Sequence, residues 1–111
     1  MLIEVCLDSV ASTRVAIDAR ADRVELCAGL TEGGTTPSKG LITRVIAALS
    51  GTSTKLAVLI RPRAGDFCYS DDDLAVMHAD IAVRHVHQCN VVLIVCRCAR
   101  ISAWTLSCSA A

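Results

Sequence analysis

Polar and apolar residues alternate from the start of the chain. Ile3, Val5 and Leu7 share one parity, and Leu2, Glu4, Cys6 and Asp8 the other, which is the period of a β-strand. Ser9 comes next as an N-cap, and the spacing predicts a helix to about Arg20 with Val10, Ala16 and Ile17 on its buried side. Alternation returns over Asp22–Cys27, with Val24 and Leu26 on one face and Arg23, Glu25 and Cys27 on the other. The glycine- and threonine-rich segment Gly29–Pro37 reads as a loop. Ser38 then caps a second helix whose Leu41, Ile42, Val45, Ile46 and Leu49 form one stripe, with Gly51 placed to end it. Lys55–Ile60 is a third strand, with Leu56, Val58 and Ile60 opposite Ala57 and Leu59, and the second parity carries on to Arg61 and Arg63. Ser70 and Asp73 have the spacing of a capping box, and Asp71–Asp73 suit the positive end of a helix dipole. That third helix is predicted to about Gln88 through Leu74, Met77 and Ile81, and Val91–Val95 is a candidate short fourth strand.

Three strand–helix repeats in succession predict a parallel sheet with right-handed crossovers. A sheet buried on both sides wants apolar residues on both faces. Here one face carries Glu4, Cys6, Glu25, Cys27 and Arg61, which suits the interior mouth of a barrel better. The expected fold class is α/β: a partial (β/α)8 TIM barrel of three βα units plus a short fourth strand. Closing such a barrel takes about 200 residues or more, against 111 in this chain. Left open, it would expose strand edges and is expected to be weakly stable or to self-associate.

Composition narrows the setting. Hydrophobic residues make up 53% of the chain and aromatic ones 3%, so the core must be aliphatic. A formal net charge of zero supplies no electrostatic pull toward nucleic acid or a membrane surface. No apolar run is long enough to span a bilayer, and no basic segment precedes an apolar stretch at the N-terminus. The expectation is therefore a cytoplasmic chain whose seven cysteines are reduced thiols.

The densest chemistry lies in Arg61-Pro62-Arg63-Ala64-Gly65-Asp66, at the carboxyl end of the third strand, where parallel α/β folds place their sites. Glu25, Arg61, Arg63 and Asp66 are candidate ligands for a small phosphate or carboxylate anion. Arg63 and Asp66, in the loop, lean to ligand contact. Glu4 and Glu25 lean to a structural ion network, since the fork of Arg61 can hold two carboxylates. Thr31–Thr36 lacks the lysine–serine ending of a P-loop and a GxGxxG frame, and reads as a flexible loop over the mouth. Asp71–Asp73 are consecutive on a helix and do not converge on a cation. His78, His85 and His87 read as surface residues. Cys6 and Cys27 share the interior parity of neighbouring strands, and two soft thiolates suit Cu(I). Two small buried core thiols are the plainer reading, and without CxxC spacing the residues alone favour it. Cys96, Cys98 and Cys108 resemble metal ligands in isolation, and no role is assigned to them.

Five strings in order carry a family likeness: Glu4-Val-Cys-Leu-Asp-Ser9, Ala21-Asp-Arg-Val-Glu-Leu-Cys27, Glu32-Gly-Gly-Thr-Thr-Pro-Ser38, Ile60-Arg-Pro-Arg-Ala-Gly-Asp-Phe67 and Tyr69-Ser-Asp71. Over residues 1–85 the chain resembles the N-terminal part of the CutC family of copper homeostasis proteins. The resemblance implies a cytosolic (β/α)8 barrel that binds or handles copper, with Cys6 and Cys27 matching the proposed thiol ligands. It implies no settled reaction, so the enzymatic reading stays uncertain. Two departures stand out. A glycine pair normal in the family is replaced by Ala19-Arg20, which should lengthen the first helix or strain its exit. After the third helix the family's Gly-Ala-Asp-Gly turn is replaced by Cys89-Asn-Val-Val-Leu-Ile-Val. Back-translated with GC-rich codons and shifted in frame, Asn90–Leu106 can regain a Gly-Ala-Asp turn. The expected division is thus 1–88, a family-like barrel segment, and 89–111, a divergent tail of out-of-frame origin. Three functional expectations result: copper handling through Cys6 and Cys27, binding or conversion of a small anionic compound, or a shortened chain without function.

Overall fold

In a computed structural model of the chain the described residues are 1–86, 91–94 and 106–107. The strands are β1 (Glu4–Leu7), β2 (Arg23–Leu26), β3 (Lys55–Ile60), β4 (Val91–Ile94) and β5 (Leu106–Ser107), and the helices α1 (Val10–Asp18), α2 (Lys39–Leu49) and α3 (Asp71–Val86). One sheet holds the strands in chain order. β1 to β4 run parallel, with Cys6 beside Glu25, Glu25 beside Ala57 and Val58 beside Val92, while β5 is antiparallel to β4. Three parallel βα units are therefore present as expected, and β4 occupies the predicted fourth position. Cys96, Cys98, Cys108 and His87, and most of the 89–111 tail, lie outside the described residues.

The helices form where local chemistry starts and stops them. Ser9 accepts the Ser12 N–H at 3.0 Å and opens α1, and Ser38 accepts the Leu41 N–H at 3.1 Å and opens α2. At α3 the box closes in both directions: Ser70 Oγ accepts the Asp73 N–H, and Asp73 Oδ2 accepts the Ser70 N–H, each at 3.1 Å. Each cap satisfies donors that the first helical turn leaves unpaired and is worth about 1 kcal/mol. The acidic first turn of α3 faces the positive dipole end, and accepting the Ser70 N–H holds the Asp73 carboxyl below the usual range, with Arg63 adding to it.

The exit from α1 is set by Ala19 and Arg20. The helix is not lengthened; it stops at Asp18. The Ala21 N–H reaches Ala16 O at 3.0 Å and the Arg20 N–H reaches Ile17 O at 2.9 Å, the pairing of a Schellman ending. That ending puts Arg20 at φ 58°, the left-handed region where a Cβ is costly. Of the two expected consequences, strain at the exit is the observed one.

The face of β1–β3 turned to α1 and α2 is packed. Val24, Leu26 and Val58 are completely buried with Ile42 and Val45, and Leu7, Ala16, Leu49 and Leu56 complete this cluster. A second, smaller cluster joins Ile60 to Tyr69 and Met77, with Leu74 and Ile81 against it, and seats α3. β3 is buried on both faces from Leu56 to Ile60. β1, at the end of the sheet, leaves Ile3 and Val5 exposed. Among the described residues no helix is long and apolar enough to cross a membrane.

Candidate functional site

The polar face of the sheet gathers at the carboxyl ends of β1, β2 and β3. Cys6 lies beside Glu25, and Cys27 stands just past the end of β2, where its N–H bonds to Leu7 O at 3.0 Å. The parity predicted for both cysteines holds, and their sulfurs stand 3.7 Å apart. Cys6 is exposed and Cys27 is completely buried. The loop after β2 folds over Cys27 through Gly34, at φ 89°; a Cβ there would meet Leu59 Cδ2 at 3.1 Å and Cys27 Sγ at 3.5 Å. A side chain here would strain the backbone and crowd Leu59. Burial pushes the Cys27 thiol up to about 12, with the bond to Cys6 and the charges of Glu25 and Asp8 acting the same way. An open cavity of about 360 Å³, lined by Val5, Cys6, Leu7, Asp8, Val15 and Leu30, leads to Cys6 along the outer edge of β1.

Two metal–thiolate bonds of about 2.3 Å each would span ~4.6 Å if collinear. The observed 3.7 Å is within reach of that span by a turn of the exposed Cys6 side chain. Among the described residues no group of three or more His, Cys, Asp or Glu side chains converges as a metal site. Two neighbouring thiols suit a soft ion.

The acids beside the cysteines are arranged differently from the expected network. Glu4 pairs with Arg23, the neighbour directly across from it on β2. Glu25 is half-buried, and its carboxyl is pushed above its ordinary value by desolvation and by the Glu4 charge, against the pull of Arg23. Arg61 holds neither acid. Its Nη1 donates to Glu32 O at 2.9 Å and Gly34 O at 2.7 Å, and its Nη2 to Gly65 O at 3.0 Å. The Arg61 backbone N–H bonds to Thr36 Oγ1 at 2.9 Å, and Thr36 N–H returns to Arg61 O at 3.0 Å. The reason is reach: β3 lies one strand further from Glu4, and Arg23 is already opposite it. Arg61 instead pins the β2–α2 loop to the β3–α3 loop, so the loop expected to be flexible is hydrogen-bonded into the mouth. It also carries a short 3-10 turn, Leu30–Glu32, and an Ala28–Thr35 bridge.

Arg63 departs from the strand parity and turns outward. Its Nε donates to Asp73 Oδ2 at 3.1 Å, and its Nη groups reach Ala64 O, Asp66 O, Asp66 Oδ1 and Cys68 O between 2.7 and 3.3 Å. Asp66 Oδ1 also accepts the Cys68 N–H at 3.1 Å. Arg63 and Asp66 thus bind one another and tie the loop to the start of α3, with the Arg63 guanidinium over the Tyr69 ring at 5.3 Å. His78 is exposed, as predicted. Arg23 and Thr36 were not singled out by sequence reasoning. Parity placed Arg23 with Glu25 but did not say which acid it would meet, and nothing in the local sequence marks Thr36.

Comparison with known proteins shows the family of the chain. The model of the CutC family matches residues 1–102. Over 86 residues the chain is 49% identical to the human copper homeostasis protein cutC homolog, covering 78% of this chain and 30% of the relative. It is 47% identical over 94 residues to a family protein CutC of Agrobacterium fabrum, covering 84% and 36%. The crystal structure of the putative copper homeostasis protein CutC from Streptococcus agalactiae superimposes with a TM-score of 0.78 at 34% identity, over 87% of this chain and 47% of that one. The chain spans about a third of the length of the curated relatives it matches.

Proposed function

Because the chain belongs to the CutC family, we propose that it handles copper in the cytoplasm, with Cys6 and Cys27 as the thiols that hold Cu(I). Its three βα units correspond in this reading to the opening units of a (β/α)8 barrel. The observation that carries it is the 3.7 Å separation of the two sulfurs across neighbouring strands. The names of its relatives supply the metal, and the chemistry of the pair agrees with it, since paired thiolates favour soft Cu(I).

The two thiols have different tasks. Cys6, exposed at the end of the open cavity, meets the ion first. Cys27, buried beneath Gly34, closes the site and shields it from water. With its thiol held protonated to about 12, Cys27 must release a proton when it takes the metal, so loading strengthens as pH rises. No reaction is assigned to the chain.

An anaerobic titration against a chromophoric Cu(I) chelator tests this, in a background where Cys68, Cys89, Cys96, Cys98 and Cys108 are serine. The expected result is tight binding of one ion per chain, lost in Cys6→Ser and Cys27→Ser. Stoichiometry and affinity unchanged in both variants would remove these ligands from the proposal.

A further inference from the structure

The copper reading leaves Arg61 unexplained. The residue is 6% exposed, and no carboxylate among the described residues lies within ion-pair distance of it. A buried cation without a counter-charge costs several kcal/mol. Of its five N–H donors, three are taken by the carbonyls of Glu32, Gly34 and Gly65. The Nε is buried with no hydrogen-bond partner. One Nη2 hydrogen also remains beyond the bond to Gly65. Nε and Nη2 form the edge of a guanidinium that takes an oxyanion with two parallel bonds.

We propose that this edge of Arg61 is a binding site for a small monocarboxylate. One fixed positive charge calls for one negative charge. A dianion such as phosphate would leave a surplus beside three carbonyl oxygens, each presenting its negative end. The Phe67 ring, 5.1 Å from the guanidinium carbon, is an apolar neighbour suited to a short organic acid. Bound carboxylate would satisfy the orphaned Nε and fasten the two loops that Arg61 already joins. The site adjoins the cysteine pair through Gly34, uses neither thiol and needs no copper.

Arginine side-chain ¹H–¹⁵N spectra of the full chain test it, with the Nε–H resonance of Arg61 assigned by through-bond correlation so that no variant need fold. The probes are sodium acetate, inorganic phosphate and sodium chloride at matched ionic strength, in copper-free buffer. Acetate should shift the Arg61 Nε–H resonance saturably in the millimolar range and slow its exchange with solvent, while the Arg63 resonance stays in place. Chloride should leave Arg61 unmoved. A resonance that ignores acetate, or one that moves equally with chloride, overturns the site. A saturable response to phosphate alone overturns the monocarboxylate assignment.

Discussion

Cys6 and Arg61 lie at the same end of one sheet, on β1 and directly after β3, and they are supported on opposite terms. β3 has neighbours on both sides, so the residue at its exit is enclosed: Arg61 is buried and most of its donors are committed to loop carbonyls. β1 has a neighbour on one side only among the described residues, and Cys6 faces an open cavity. The arginine side stores stability in hydrogen bonds. The cysteine side keeps a reachable thiol beside a buried one. The inner strand commits most of its arginine's donors to bracing, whereas the edge strand leaves a whole thiol open to the cavity.

Alkali should disturb the cysteine side most. The Cys27 thiol is raised from 9.0 to about 12, so the folded chain keeps its proton where the unfolded chain would lose it. That stability is complete below the ordinary thiol value and drains as pH climbs from about 9 toward 12. Unfolding free energies from urea titrations across that window should fall by several kcal/mol in the wild type and much less in Cys27→Ala. Arg61→Met on the opposite side should cost about 3 kcal/mol by urea unfolding, because three charge-assisted bonds between loops are lost and their carbonyls are left buried. Arg63→Met, whose bonds lie near solvent, should cost clearly less than Arg61→Met by the same measurement. A loss as large as that of Arg61→Met would erase the distinction between inner and outer arginine.

Two smaller changes probe the backbone around these sites. Gly34→Ala should destabilise by roughly 2 kcal/mol through strain and contact with Leu59, and it should move the Cu(I) affinity through Cys27. Arg20→Gly should raise stability by about 1 kcal/mol, read as a higher thermal midpoint, since a glycine relieves the left-handed strain at the end of α1.

Much of this framework was legible beforehand. The three caps at Ser9, Ser38 and Ser70, the bounds of β3 and the buried stripe of α2 all rest on spacings of about four positions or fewer from one residue to the next. The facing of Cys6 and Cys27 came from strand parity. Legibility failed at Arg61 and Arg63. Parity placed both on the polar face, but the chain leaves the strand after Ile60, and from there the loop path decides direction. The expected bond from Arg61 to Glu4 and Glu25 failed for a related reason: parity names a face, while register names the neighbour, and register put Arg23 opposite Glu4.

The order of elements, their caps, the polar face of the sheet and the family likeness can all be read along the chain, because each is written in short-range spacing or in contiguous motifs. Folding had to be seen before the rest was known: that the two sulfurs approach to 3.7 Å, that Gly34 seals Cys27, and that a buried arginine ends with an unpaired Nε. Those depend on how strands at different points of the chain come into register and how the loops between them cross, and no local pattern encodes a distance between residues so far apart along the chain.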